Sequence, residues 1–293
     1  PRVSLSWNPM RDIAFKGAYS RTTQYVHQMT ESYLSLPTDQ WIPVTGRFKP
    51  QTADKISFGS YWHSQEHNLS VSLEAYYKWM HNLLDFCDEY YLNPPANIWD
   101  ARLTSGKGSS KGLDIRIEKS FGNLTGQVCY SLAWADRTFT EKNGGVTYPA
   151  KFDNRHTITA TLNWKPNGKV TLNALWTGHS GNRFTLLTQV WNLPDFDDNS
   201  YFDDFVPLKT GINNYRLPFY HRLDLSCTVR NRRGYWDFSI YNAYCHLNTI
   251  AIYRGHRDVV EMTDAGYFST SKPVFQKIKF LPIIPSISYT WEF

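Results

Sequence analysis

The chain has 293 residues, of which 41% are hydrophobic and 16% aromatic. No run of about 18 or more apolar residues occurs, which excludes a helical membrane span. The net charge of +5 is small and its Lys and Arg are scattered, so nucleic acid is not an expected partner.

Residues 2–7 place Val3, Leu5 and Trp7 on one face. After a turn that Pro9 helps to close, residues 13–20 set Ile13, Phe15, Gly17 and Tyr19 against Ala14, Lys16, Ala18 and Ser20. Such period-two alternation marks a strand wetted on one side only. No period is sustained from Arg21 to Pro50. Asp54, Ile56, Phe58, Ser60 and Trp62 then alternate with Lys55, Ser57, Gly59, Tyr61 and His63. Only SQEH separates this run from the cleanest strand, where Leu69, Val71, Leu73, Ala75, Tyr77 and Trp79 oppose Ser70, Ser72, Glu74, Tyr76 and Lys78.

A second aperiodic stretch, with PPANIW and GKGSS in it, runs to about Ser110. Residues 112–121 alternate again, turn at Gly122 and Asn123, and lead into residues 124–136 with Val128, Tyr130, Leu132 and Trp134 in phase. A loop over 137–154 precedes residues 156–164. KPNGK, whose Asn-Gly pair readily takes left-handed dihedrals, joins these to residues 170–177. The longest aperiodic piece runs from Gly178 to about Pro218. Residues 221–231 follow, then a turn at 232–234 and a strand from Tyr235 that is expected to continue to Tyr253. KIKF leads into the last strand, in which Ile283, Pro285, Ile287, Tyr289, Trp291 and Phe293 share a face.

Eleven strands are therefore expected, and their connections alternate: five of two to five residues and five of roughly 18 to 40. Structureless loops beyond about 12–15 residues are uncommon in compact soluble domains. Short turns at one end and long loops at the other are the rule for transmembrane barrels. Charges follow the same division. The apolar faces carry only Asp54 and Lys119, both near strand ends, while Lys16, Lys55, Glu74, Lys78, Asp114, Arg116, Glu118, Arg222, Asp224, Arg230 and Asp237 lie opposite. One face for lipid and one for a wet lumen accounts for this, giving an all-β, antiparallel transmembrane barrel. With 19 Tyr and 11 Trp, a soluble carbohydrate-binding β-protein stays open as an alternative. If the C-terminus is periplasmic, the first strand also runs inward. Single-chain bacterial barrels have even strand numbers, so residues 1–293 are expected to be the C-terminal portion of a larger barrel.

FLPIIPSISYTWEF, SLEAYYKWMHNLLDF, SGNRFTLLTQ and NNYRLPFYHRLDLS resemble the C-terminal barrel of TonB-dependent outer-membrane receptors of the Bacteroidota type. The resemblance implies a barrel of about 22 strands, half of it here, closed from inside by an N-terminal plug. It also implies import of a scarce nutrient (iron chelate, cobalamin, glycan or peptide) across the cell outer membrane, powered by the TonB complex acting through the plug. The partners so implied are the plug and remaining strands, TonB, outer-membrane lipid and a surface lipoprotein. Tyr289, Trp291 and Phe293 resemble the terminal signal read by the barrel-assembly machinery. A passive porin or an adhesin shares the lipid face and is the alternative within the membrane.

No catalytic constellation is present: there is no HExxH, GxSxG or phosphate-binding glycine loop, and no enzyme is expected. Ligand contacts are expected from outer-loop aromatics and cations, namely Trp41, Arg47, Trp99, Tyr148, Arg183, Trp191, Tyr201 and Arg216, although loop aromatics serve equally to pack loop on loop. Asp195, Asp197 and Asn199 have the spacing of a calcium loop, but Ser200 replaces its glycine and the bidentate Glu is missing. A structural Ca2+ there is the only cofactor the residues suggest. His156 and His221, each beginning a strand, are expected to hydrogen-bond at the rim. The four cysteines show no metal spacing, and alternation puts Cys129 and Cys227 on opposite faces.

Overall fold

The computed structural model describes residues 1–29, 40–87, 103–186, 189–192, 205–208, 211–263 and 266–292. Strands β1 (Arg2–Met10) and β2 (Ile13–Gln24) are followed by a hairpin of β3 (Val26–Met29) and β4 (Gln40–Pro43). Next come β5 (Gln51–Ser64), β6 (Leu69–Phe86), β7 (Leu103–Lys119) and β8 (Leu124–Phe139), with β9 (Tyr148–Pro149) lying on β8. After β10 (His156–Trp164) and β11 (Val170–His179) there are four short pieces. These are β12 (Arg183–Phe184), β13 (Gln189–Asn192), β14 (Phe205–Leu208) and β15 (Tyr215–Arg216), paired as β12 with β15 and β13 with β14. The chain continues through β16 (Tyr220–Asn231), β17 (Gly234–Tyr241), a hairpin of β18 (Asn248–Thr263) and β19 (Gly266–Phe280), and β20 (Ile284–Trp291).

The wall is one antiparallel sheet in the order β1-β2-β5-β6-β7-β8-β10-β11-β16-β17-β20. Each strand pairs with its predecessor along this path, so every connection is local. Short turns gather at one rim and long connections at the other. Among the described residues, β1 pairs only with β2 and β20 only with β17, so each leaves an edge of backbone groups unpaired.

Several strands run past their expected ends, β6 as far as Phe86, and the largest differences from the sequence reading lie at three places. β7 starts at Leu103, so GKGSS belongs to a strand. Glycine suits those positions because the Phe139 ring and the Leu83 methyl, 2.9 Å away, occupy the places that Cβ atoms on Gly106 and Gly108 would take. β17 stops at Tyr241, because Asn242 turns the chain with a φ of 54°. Residues 248–280 form the separate β18–β19 hairpin, and KIKF belongs to it rather than to the last strand. The aperiodic 21–50 stretch holds the end of β2 and the β3–β4 hairpin, too short to show a period.

Register carries the alternation across the wall. Phe58 lies beside Ala75, Leu73 beside Ile115, Ile115 beside Tyr130, and Phe238 beside Ile287. This face is apolar and open: Phe58 is 58% exposed, Leu73 43% and Ile287 61%. A contiguous apolar surface of this extent is foreign to a soluble monomer. Among the described residues no second sheet packs on it, which sets the fold apart from a sandwich. The buried apolar residues lie instead toward the long-loop rim, in two clusters: Met29, Ile42, Phe48, Leu84 and Leu103, then Leu83, Phe139 and Tyr148. The wall thus keeps its order through ladder bonds and the solvent on each side, while the core among the described residues gathers where strand ends of β6, β7 and β8 meet the long loops.

The phase is testable at adjacent residues. Leu73→Arg is expected to cost about 2–4 kcal/mol by placing a charge on the lipid side, and Ser72→Arg, pointing to the opposite face, far less. Heat-modifiable migration of the two variants after refolding in detergent measures the difference; equal folded fractions contradict the assigned faces.

Candidate functional site

The long-loop rim is fastened by a small number of polar knots. The tightest is Asp153, whose side chain is 1% exposed and which lies between β9 and β10. Its Oδ2 accepts from Arg155 Nη2 at 3.2 Å and from Arg216 Nη2 at 3.0 Å, with Arg183 Nε at 3.7 Å. Arg216 also donates to the carbonyls of Asp153 and Gly181, at 2.5 and 3.0 Å. Three guanidiniums from three segments thus share one carboxylate. Burial, then the adjacent Arg183, lower the Arg216 pKa. Backbone bonds from Arg183 to Lys151 and from Leu217 to Asn182 complete the tie. The β11–β16 connection is thereby locked to the β8–β10 connection.

A second knot joins the latter to the wall. Lys142 Nζ lies 2.9 Å from Asp85 Oδ1, and Tyr148 donates to Asp85 Oδ2 at 3.5 Å. Asn143 Oδ1 accepts from the Ile212 amide and Asn213 donates to the Pro149 carbonyl. At the root of the β18–β19 hairpin, Asn242 is 1% exposed and donates to the His246 and Leu281 carbonyls. Asn248 bonds both backbone groups of His221. In the first loop, His27 is 2% exposed beside Ile42, and neither ring nitrogen has a hydrogen-bond partner among the described residues. Burial lowers its pKa, so it is held neutral.

These knots sort the residues expected to bind a ligand. Trp41 is 64% exposed on β4, on the side opposite buried Ile42. Arg47 is exposed, its guanidinium 5.4 Å from the Phe48 ring centroid. Arg183 and Arg216 come together directly across β12 and β15, with Arg216 committed to Asp153. Tyr148 is 4% exposed against Phe139, so it packs loop on wall rather than offering a surface. Trp191 sits on β13. Trp99, Tyr201, Asp195, Asp197, Asn199 and Phe293 lie outside the described residues. Tyr289 and Trp291 fall on the apolar face, with the Tyr289 ring tilted against that of Trp236 at 4.8 Å between centroids. His156 bonds the Tyr130 hydroxyl at 2.9 Å and His221 that of Tyr244 at 2.8 Å. All four cysteines are free, and no group of three metal-binding side chains occurs among the described residues.

The polar face of the wall divides into two sectors. Across β5, β6 and β7, like charges stand directly opposite each other: Lys55 by Lys78, and Glu74 by Asp114. Tyr61 donates to Glu74 at 2.6 Å, and Arg116 pairs with Glu118 at 2.8 Å. Across β8, β10 and β11 the same face is uncharged from Thr125 to Ala135, from Thr157 to Asn163 and from Thr171 to Thr177, with Arg137 beyond it toward the long-loop rim. Asn163 there donates to Asn173 at 2.5 Å, which donates to Ser226 at 3.0 Å.

A single sheet, lipid-facing on one side, charged on the other and capped by interlocked loops at one rim, is the wall of a membrane β-barrel. The chain belongs to the TonB-dependent receptor-like β-barrel family, whose sequence model matches residues 1–244. It is accordingly a β-barrel chain of the outer membrane. No curated protein matches it by sequence. Among solved structures, it is similar to the ferripyoverdine receptor of Pseudomonas aeruginosa, with a TM-score of 0.60 and 13% identity over 100% of this chain and 33% of that one. The FrpB iron transporter of Neisseria meningitidis gives 0.58 and 11% over 97% and 37%. The ferric yersiniabactin receptor FyuA of Yersinia pestis gives 0.56 and 12% over 96% and 37%. The chain spans about a third of the length of the solved receptors it matches.

Two variants probe the rim. Asp153→Ala removes the shared carboxylate from three guanidiniums, and removing one partner of a buried pair costs about 3–5 kcal/mol. Faster hydrogen exchange at the Arg183 and Leu217 amides is expected, with Asp153→Asn intermediate; unchanged exchange contradicts the knot. Because His27 has a lowered pKa in the fold, the unfolded loop binds the proton more readily. Stability of the first loop is therefore full above the ordinary imidazole pKa and falls as pH drops below it. Exchange protection around 26–29 and 40–44 is expected to fall on acidification, and His27→Phe to abolish that dependence.

Proposed function

We propose that this chain is the C-terminal half of the barrel wall of an importer driven by TonB, with its outer loops supplying ligand contacts. The observation that carries the reading is the charged sector on the lumenal face. Like charges directly across a ladder destabilise it, and Glu74 with Asp114 and Lys55 with Lys78 keep that arrangement in two adjacent strand pairs. An occupant of the lumen bearing opposite charges relieves both, and a plug domain is such an occupant. The unpaired edges of β1 and β20 call for further strands, since open edges are not tolerated in hydrocarbon; about eleven more complete the barrel size implied by the resemblance.

The cargo is a scarce nutrient of the kind such receptors take, whether iron chelate, cobalamin, glycan or peptide. Trp41, Arg47 and Arg183 remain the loop residues best placed for it, with Trp99, Trp191 and Tyr201 as further candidates. Asp195, Asp197 and Asn199 are the candidate Ca2+ ligands. Partners are the plug and upstream strands, TonB, outer-membrane lipid and a surface lipoprotein of the Bacteroidota type. In a passive porin channel water solvates such lumenal charges, so the dependence of uptake on TonB separates the two readings.

Mass spectrometry of material retained by the purified full-length receptor identifies the ligand, and uptake of that compound is then compared with and without TonB. Uptake is expected to vanish without TonB. Undiminished uptake indicates a porin, and no uptake in either strain indicates an adhesin.

A further inference from the structure

The two sectors of the lumenal face differ in what they can hold. One open depression, about 570 Å3, lies beside Glu74, Asp114 and Arg116 and reaches Ser131 on β8; another, about 540 Å3, lies over β10, β11, β16 and β17 beside Asn163, Asn173, Asp224 and Ser226. Volume does not distinguish them, but chemistry does. No lumenal position is charged from Thr125 to Ala135 on β8, from Thr157 to Asn163 on β10, or from Thr171 to Thr177 on β11. These positions are nearly all threonine, serine, asparagine, glutamine or alanine. Where charge resumes, on β16, it is already neutralised: Arg222 pairs with Asp224 at 2.9 Å, and Asp224 accepts the Asn242 amide.

We infer that the neutral strip of β8, β10 and β11 lines the path along which cargo crosses the lumen, while the charged sector of β5–β7 anchors the occupant of the barrel. This rests on the import reading above. An occupant that docks by charge is held where the wall sets like charge against like, because an opposite charge placed beside Lys55 and Lys78 or beside Glu74 and Asp114 is attracted by both. The neutral strip offers no ion pair to break. Its hydroxyls and amides exchange hydrogen bonds with water or with a polar solute at nearly equal free energy. A passage must bind well enough to admit a solute and weakly enough to release it, and a wall without fixed charge neither traps nor repels a charged chelate. The cargo that suits it is a hydrated, hydrogen-bonding solute.

Cysteines introduced into the full-length receptor test this. In a background free of other reactive thiols, Thr161→Cys and Thr177→Cys mark the strip and Ser72→Cys marks the charged sector. Heat-modifiable migration establishes that each variant assembles. The probe is a membrane-impermeant methanethiosulfonate carrying a sulfonate, added to living cells during ligand uptake with TonB present or deleted. Labelling at residues 161 and 177 is expected to run several-fold faster with TonB, and labelling at residue 72 to stay unchanged. Acceleration at residue 72 alone, or equally at all three, overturns the inference and leaves the import reading standing. Rates independent of TonB at every position overturn both.

Discussion

Every feature of this chain answers to one constraint: a backbone in hydrocarbon has no water to bond to, so each amide and carbonyl must find a partner in the protein. A sheet meets that demand only if strand follows strand without interruption, and the sequential order from β1 to β20 does so. Side chains are then free to serve the two solvents. Alternation sends Phe58, Leu73 and Phe238 one way and Lys55, Glu74 and Asp237 the other. Stability in such a wall does not come from a buried core, and nearly every buried apolar residue sits where the chain leaves the sheet.

The wall was legible in the sequence because period-two alternation is local and repeats in every strand. Its eleven segments, their order and their faces follow from residues two apart. Errors arose where the signal is not local. GKGSS reads as a loop because glycine fills it, yet rings and methyls from β6 and β8 cover the missing side chains. YNAY reads as unbroken strand, and only the left-handed Asn242, with bonds to residues 4 and 39 positions away, ends it. Asp153 was invisible for the same reason. FDNR has no periodicity, and two of its three arginine partners lie 30 and 63 residues later. Arg183 and Arg216 could be suspected as rim cations, but that they face each other across β12 and β15 belongs to tertiary structure alone.

The division of the lumenal face was half visible. The charged residues of β5–β7 were evident as a polar face, but their like-with-like pairing depends on register, which alternation does not fix. The threonines of β8, β10 and β11 carried no signal singly. Placed side by side by the ladder, they form a continuous strip without a formal charge, beside one that has many.

The Asp153 knot sits at the roots of its loops. Its partners come from residues 155, 183 and 216, and no described residue between Phe184 and Tyr215 takes part in it. Doubling the length of a closed loop costs only about 0.6 kcal/mol. A lineage can therefore lengthen, shorten or rewrite the outer part of that segment, short of Ile212 and Asn213 with their bonds to Asn143 and Pro149, while the knot at its root stays tied.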